Sequence, residues 1–127
     1  MGKELRLRLL EQRLAIARLD PEDDLPSWAT GSFWSCTRSP SALSIVCPEQ
    51  TVPREVKAEK GWLAFEVIGP LDFDEVGIVA SIADPLRDAG VSIFVISAYD
   101  TDYVLVRDAQ LSAAMDALND AGFSLSD

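Results

Sequence analysis

Residues 61–103, GWLAFEVIGPLDFDEVGIVASIADPLRDAGVSIFVISAYDTDY, contain in quick succession the patterns of a strand, a turn, a helix and a second strand. The aromatic and β-branched run 62–68 predicts a strand, which Gly69-Pro70 ends. Apolar residues then recur at helical spacing over 79–86, and Gly90 is placed to end that helix in a left-handed conformation. This stretch therefore predicts a β-α-β unit.

The second strand of that unit is apolar on both faces. Val91, Ile93 and Val95 point to one side, and Phe94 and Ile96 point to the other. Such a strand is typical of a sheet that is covered on both sides. Because large exposed apolar patches are uncommon on monomers and usually mark contact surfaces, we expect a homodimer or higher homo-oligomer.

The second half of the chain extends the unit to a β-α-β-β-α-β order. Its predicted elements are strands 62–68, 91–99, 103–107 and 123–125 and helices 74–89 and 109–120. This order is the ferredoxin-like arrangement of an α+β fold. In the second helix Leu111, Met115 and Leu118 recur at helical spacing as a core stripe, and Gly122 ends the helix. Asp72 or Asp74 is placed to cap the first helix, and Asp108 the second.

The first half is rich in predicted strands and poor in helices. Predicted strands 5–9 and 14–17 should pair as a hairpin. Predicted strands 32–38 and 43–47 are joined by a turn at 39–41. The acidic segment 20–26 predicts a solvated loop, with a cation site as the alternative. Segment 54–60 is predicted as a surface helical turn or linker. The boundary lies near 57–61, which gives domains 1–60 and 61–127.

Composition excludes several classes of partner. The 127 residues have a net charge of -10, from 21 acidic and 11 basic residues, which repels a phosphate backbone. No apolar run approaches the roughly 20 residues that span a bilayer, and the N-terminus lacks the apolar core of a signal peptide. We therefore expect no nucleic-acid partner, no membrane partner and a cytoplasmic location.

The residue types also limit the chemistry. The chain has no histidine, which excludes Cys-His and Ser-His nucleophile pairs and removes the commonest zinc ligand. Cys36 and Cys47 lack CxxC spacing, so we expect both to be reduced, buried and structural, with a disulfide or redox role as the alternative. We expect no metal and no cofactor. Acid-base catalysis by Asp72 and Asp74 is the weakest of the functional alternatives, because neighbouring acids at a helix start usually act as caps.

The first strand-to-helix turn has the chemistry of an amino-acid site. Backbone N–H groups at a helix start lack internal partners and suit an α-carboxylate, and Gly69 and Gly77 allow its close approach. Asp72, Asp100 and Asp102 are the nearest acceptors for an α-ammonium group. Asp72 is equally explained as a helix cap, and the two later aspartates as parts of a hairpin turn.

Four segments resemble a known family: 43–49, 69–73, 77–82 and 93–106. The second half resembles an ACT domain, a small β-α-β-β-α-β module that binds amino acids and regulates metabolic enzymes. The whole chain is similar to small stand-alone bacterial proteins related to the ACT pairs of the CASTOR arginine sensors. The resemblance implies a degenerate second ACT-like unit in the first half, packed side by side with the other.

The resemblance implies a non-catalytic regulatory sensor of a free amino acid or a similar small ligand. The alternative is a structural or protein-interaction subunit that keeps the ACT fold without a ligand. Glu75-Val76 departs from many relatives and leaves the identity of the ligand open. The candidate ligand-binding residues are Gly69, Pro70, Leu71, Asp72, Phe73, Val76, Gly77, Ile78, Ser97, Tyr99, Asp100, Thr101 and Asp102.

Overall fold

The computed structural model describes residues 5–68 and 77–126, which belong to two compact units. The larger unit comprises Met1–Glu11 and Leu63–Asp127, and the smaller unit comprises Gln12–Trp62. One strand, Ala58–Val67, contributes its first part to the smaller unit and its second part to the larger one. The division into domains 1–60 and 61–127 stays a prediction.

The larger unit contains the β-α-β-β-α-β order that the sequence predicts. Its elements are β1 (Arg6–Leu9), the second part of β5 (Ala58–Val67), α1 (Ile78–Asp88), β6 (Ile93–Ser97), β7 (Asp102–Arg107), α2 (Leu111–Asp120) and β8 (Ser124–Ser126). α1 begins four residues later than predicted, because Gly77 has a φ of 82°, which a right-handed helix cannot include. All the other predicted elements of this half are confirmed within a few residues.

The sheet of the larger unit has one strand more than the predicted module. β6 pairs with β7, β7 with β5, β5 with β1, and β1 with β8. The order is therefore β6-β7-β5-β1-β8, and the pair of β1 with β8 is parallel. The N-terminal strand thus lies between the first and last strands of the β-α-β-β-α-β module.

Both helices of the larger unit cover one face of this sheet. Ile82 and Leu86 of α1 and Ala114 and Leu118 of α2 are buried, and they pack in one cluster with Phe65 and other sheet residues. The predicted apolar stripes of both helices are therefore confirmed as core. Two glycines with positive φ, at positions 90 and 122, follow the helices, where the sequence predicts left-handed helix ends.

The predicted capping of α2 by Asp108 is wrong. Asp108 begins a 3₁₀ turn, Asp108–Gln110, and the N-cap residue of α2 is Gln110, which makes no side-chain cap bond. The Gln110 side chain instead connects to the loop after α1, because Nε2 donates to the Gly90 carbonyl at 3.0 Å and Oε1 accepts from the Ser92 N–H at 3.2 Å. Asp72 and Asp74, the predicted caps of α1, lie outside the described residues.

The smaller unit is an antiparallel sheet of four strands. β3 (Ser35–Arg38) pairs with β4 (Leu43–Pro48), β4 with β2 (Leu14–Leu19), and β2 with the first part of β5. Along the chain, the four strands of this unit come in the order β2, β3, β4 and β5. Across the sheet, the order β3-β4-β2-β5 therefore places the second strand first, followed by the third, the first and the fourth. The four module strands of the larger unit follow the same order, apart from the additional β1. The first half is therefore an ACT-like sheet without α-helices among its described residues.

Two local predictions for the first half are wrong. β1 and β2 do not form a hairpin, because β1 pairs with β5 and β8, and β2 pairs with β4 and β5. Alternating apolar residues identify a strand and its buried face, but they do not name its partner. Residues 58–60, predicted within a surface turn or linker, are the first residues of β5.

Coil residues cover the core of the smaller unit. Ala29 and Val52 are buried with Ile45 and other residues of β2 and β4, and Trp28 and Val56 pack against them. Cys47 is buried in this cluster and free, as predicted. Cys36 is also free but exposed, so its predicted burial is wrong. It lies on β3, whose residues 36–38 are all exposed.

The acidic segment 20–26 forms a mostly exposed loop, as predicted. The Asp23 N–H donates to the Asp20 carbonyl at 3.1 Å, and the Asp23 side chain accepts from the Asp20 N–H at 3.2 Å. Arg38 Nη1 donates to the Pro21 carbonyl. These bonds fix the backbone path of the loop.

Candidate functional site

The turn between β6 and β7 is bonded to the end of β5. Thr101 is only 7% exposed, and its Oγ1 donates a hydrogen bond to the carbonyl oxygen of Val67 at 2.5 Å. Val67 is the last residue of β5 and belongs to the core of the larger unit. The candidate residues around Thr101 are therefore held at the point where the chain leaves β5 for segment 69–76.

The turn itself presents polar groups to solvent. The Ala98 N–H donates to the Thr101 carbonyl at 2.9 Å, and Ser97 lies opposite Asp102 in the pairing of β6 with β7. Tyr99 is 78% exposed, Asp100 is also exposed, and Asp102 is half-buried. The two carboxylates thus lie within one short turn whose backbone is fixed by hydrogen bonds.

The start of α1 provides the second described part of the predicted site. Gly77 is the N-cap residue, it is exposed, and no side chain of a described residue makes a cap hydrogen bond there. The Gly77 carbonyl accepts from the Ser81 N–H at 2.8 Å, so the helical hydrogen bonds begin at Gly77. Ile78 packs against the core and fixes this end of the helix. The first N–H groups of α1 suit an anionic ligand group.

Segment 69–76 holds the other predicted site residues. Gly69, Pro70, Leu71, Asp72, Phe73 and Val76 lie outside the described residues. The structure therefore brings the turn residues 97–102 to the end of β5, and it locates Gly77 and Ile78 at the start of α1. The contribution of the six remaining residues stays a prediction.

Sequence reasoning missed a polar group on the sheet beside the turn. Arg8 of β1 donates from Nη2 and Nε to Glu66 Oε1 of β5, at 2.6 and 3.1 Å. Burial, and to a smaller extent the Glu66 carboxylate, raises the pKa of Tyr103, which follows Asp102 in β7. The signal was present in the sequence, since Arg8 and Glu66 each interrupt a run of apolar residues.

The described residues offer little else for catalysis or metal binding. They contain no group of three acidic, cysteine or histidine residues that could hold a metal ion. Burial raises the pKa of the Cys47 thiol, which disfavours the nucleophilic thiolate form. In this part of the chain, no helix is long and apolar enough to cross a membrane.

Comparison with known families identifies the fold. Residues 57–120 match the family model described as the ACT domain. The chain belongs to the ACT domain family. A second model, which describes an N-terminal domain, matches residues 12–55. Both halves of this ACT protein are therefore covered by family models, and the α+β ACT fold predicted from the sequence is confirmed.

Solved structures with the same fold include one that is similar over the full chain. Protein Atu0741 from Agrobacterium tumefaciens is 41% identical, with a TM-score of 0.93 over 99% of this chain and 96% of that chain. The Vibrio cholerae protein VC0802 is 19% identical, with a TM-score of 0.73 over 94% of this chain and 91% of that chain. Clostridium acetobutylicum aspartate kinase is 13% identical, with a TM-score of 0.67 over 91% of this chain and 34% of that chain. The last two show the fold alone.

A curated relative has a named function. Over 49 residues, the chain is 47% identical to the cytosolic arginine sensor for mTORC1 subunit 1 of Rattus norvegicus. This match covers 39% of the chain and 15% of the relative. The human protein of the same name is 43% identical over 49 residues, which are 39% of this chain and 15% of that protein. The chain therefore spans about a seventh of the length of these curated relatives.

Proposed function

We propose that this ACT protein is a non-catalytic regulatory sensor that binds a free amino acid or a similar small ligand. The ligand site comprises segment 69–78 and the turn 97–102 of the larger unit. The hydrogen bond from Thr101 to Val67 is the main support, because it holds the polar turn at the end of the strand that leads into segment 69–76. The name of the curated arginine sensor supports an amino acid as the class of ligand.

The proposed carboxylate contact is the start of α1. Gly77 provides no side-chain oxygen to cap the first N–H groups, and the helix dipole favours a negative charge at that end. The sequence adds six residues to this part of the proposed site: Gly69, Pro70, Leu71, Asp72, Phe73 and Val76.

The proposed ammonium contact is the turn between β6 and β7. Asp100 and Asp102 have carboxylates on either side of the buried Thr101, and Ser97 pairs with Asp102 across the hairpin. An ammonium group needs such acceptors, and charge-assisted hydrogen bonds are roughly twice as strong as neutral ones. One zwitterionic ligand would therefore use opposite charges on the two parts of the site.

Thermal unfolding in the presence of each common amino acid tests this function. A ligand at 100 times its dissociation constant stabilises the folded protein by about 2.7 kcal/mol, which raises the melting temperature. For the amino acid that binds, Asp102→Asn should weaken binding about tenfold, because it removes a charged acceptor. Asp116→Asn, on the exposed part of α2, is the matched control and should leave the affinity unchanged.

Absence of stabilisation by any amino acid would contradict the sensor function and favour the alternative, a structural or interaction subunit with the ACT fold. Equal affinities of the wild type and Asp102→Asn would instead remove Asp102 from the site.

We also propose that the protein forms a homodimer or higher homo-oligomer. Phe94 and Ile96 of β6 point away from the side that Ile93 and Val95 pack against the core, and both are half-buried in the isolated chain. A second copy would remove the rest of this apolar surface from water. Light scattering at micromolar concentration, with and without amino acids, measures the mass. A monomer under both conditions would exclude assembly.

The proposed setting is the cytoplasm, with neither nucleic acid nor membrane as a partner. The net charge of -10 opposes binding to phosphate backbones, and the curated relative is named a cytosolic protein.

A further inference from the structure

A groove of about 250 Å³ lies on the smaller unit, far in sequence from the proposed amino-acid site. Ile16, Ala17, Ala42 and Ala58 form its apolar part. Sites for drug-sized ligands have volumes of roughly 300–1,000 Å³, so this groove suits a smaller molecule. Ile16 provides the aliphatic contact on this face of the sheet, because the Ala17 and Ala58 side chains pack in the core on the opposite face.

Two basic side chains line the same groove. Arg18 and Lys57 are both exposed, and neither takes part in an ion pair with another described residue. Arg18 Nη2 donates to the Ser41 carbonyl at 3.0 Å, which holds the guanidinium beside the turn between β3 and β4. A guanidinium has five N–H donors, so others remain for a ligand. Two positive charges that have no ion-pair partner among the described residues suit an anion.

The remaining polar residues restrict that anion. Ser44 lies opposite Arg18 in the pairing of β2 with β4, so the two side chains are on the same face of the sheet. Glu59 lines the groove opposite Ile16 in the pairing of β2 with β5. Its negative charge would repel a second carboxylate. The groove is therefore suited to a molecule with one carboxylate and an aliphatic body.

The groove also occupies a position in the smaller unit that corresponds to the proposed site in the larger one. In both units a hairpin turn closes with a 2.9 Å hydrogen bond, from Ser39 N–H to the Ala42 carbonyl and from Ala98 N–H to the Thr101 carbonyl. In both, a side-chain hydrogen bond joins the turn to the first module strand, from Arg18 of β2 in the smaller unit and to Val67 of β5 in the larger. We propose that the groove formed by β2, β4 and the start of β5 is a second small-molecule site, which binds an aliphatic monocarboxylate through Arg18 and Lys57.

Titration of the full ¹⁵N-labelled chain with sodium isovalerate tests this site. Amide resonances of residues 16–18, 42–44 and 57–59 should shift and saturate at millimolar concentrations, the range expected of so small a ligand. The neutral 3-methylbutanol should shift them far less.

Arg18→Gln and Lys57→Gln should each weaken binding about tenfold, because each removes a charge-assisted contact. Lys60→Gln changes the net charge equally outside the groove and should have no effect.

Three results would overturn the proposal: no shifts in the groove, equal shifts with the alcohol, or equal weakening by Lys60→Gln. The bond from Arg18 to Ser41 is exposed, so Arg18→Gln should still fold. Lys57→Gln tests the site without removing that bond, since the Lys57 side chain is exposed and makes no hydrogen bond or ion pair with a described residue. The amino-acid sensor function is judged separately in the same spectra, by shifts at residues 77–78 and 97–102 on addition of amino acids. Either site can therefore fail without the other.

Discussion

The two units have the same order of module strands but cover their sheets differently. In the larger unit, α1 and α2 bury Leu86 and Leu118 on the sheet. In the smaller unit, coil segments bury Ala29 and Val52 in the corresponding role. The comparison teaches that this strand order does not require helices to form a core. It requires apolar groups of some kind on one face of the sheet.

The difference has a functional consequence. An α-helix places several unbonded N–H groups at its start, whereas the smaller unit contains no helix longer than the 3₁₀ turn Glu49–Thr51 among its described residues. The smaller unit instead has basic side chains, Arg18 and Lys57, beside its hairpin turn. We therefore propose that each unit binds a carboxylate with different chemistry, backbone N–H groups in the larger unit and cationic side chains in the smaller one.

The largest expected effect comes from truncating the cores of the two units. Leu118→Ala should lower the free energy of unfolding by about 2–5 kcal/mol, because it leaves a cavity under a helix. Val52→Ala should cost only about 1–2 kcal/mol, since it removes less apolar volume from beneath a coil.

All three tryptophans belong to the smaller unit and both α-helices to the larger. Tryptophan fluorescence and far-UV circular dichroism during urea unfolding therefore follow the two units separately.

Each substitution should move mainly the transition of its own unit. Ala113→Ser, at an exposed position of α2, is the control for the helix and should change neither transition appreciably. If the two probes shift together in both variants, the units unfold cooperatively and the comparison applies only to local packing.

An intermediate effect is expected from the side chains that bond the hairpin turns. Thr101→Val should cost about 1–3 kcal/mol, because it leaves the buried Val67 carbonyl without its hydrogen bond. Arg18→Met should cost about 0.5 kcal/mol or less, because the bond to Ser41 is exposed and water can replace it. Urea unfolding measures both. Thr101→Ser keeps the hydroxyl and should lose much less stability than Thr101→Val. An equal loss in the Ser variant would show that packing of the methyl group, which the Val variant retains, matters as much as the hydrogen bond.

The smallest effect concerns alkaline pH. Burial raises the pKa of Cys47 in the smaller unit and of Tyr103 in the larger one, from ordinary values of 9.0 and 10.0. Above these values the unfolded chain loses protons that the folded protein keeps. The associated stability is therefore complete below pH 9.0 and is lost as the pH rises through the folded pKa values.

Melting temperatures measured across this range should fall less steeply in Cys47→Ala and Tyr103→Phe than in the wild type. Cys36→Ala, at the exposed cysteine, is the control and should keep the wild-type slope. If the melting temperature falls with pH as steeply in all three variants as in the wild type, neither Cys47 nor Tyr103 controls the loss of stability at alkaline pH.

Much of this protein was determined by local sequence. Strand alternation, helical spacing and Gly90 and Gly122 predicted nearly every element of the larger unit, because each pattern reflects hydrogen bonding and burial within one segment. The turn at 39–41 was predicted for the same reason. For the candidate site, residue types alone indicated the hairpin turn and the start of α1.

Only the tertiary structure decided which strands pair and which groups meet. β1 could not be recognised as a partner of β5 and β8, since alternation is the same whatever lies beside a strand. The bond from Thr101 to Val67 joins residues 34 positions apart, and Arg18 meets Lys57 in one groove across two strands. Such contacts depend on the register between distant segments. That register is set when all the apolar faces are buried together, and no single segment encodes it.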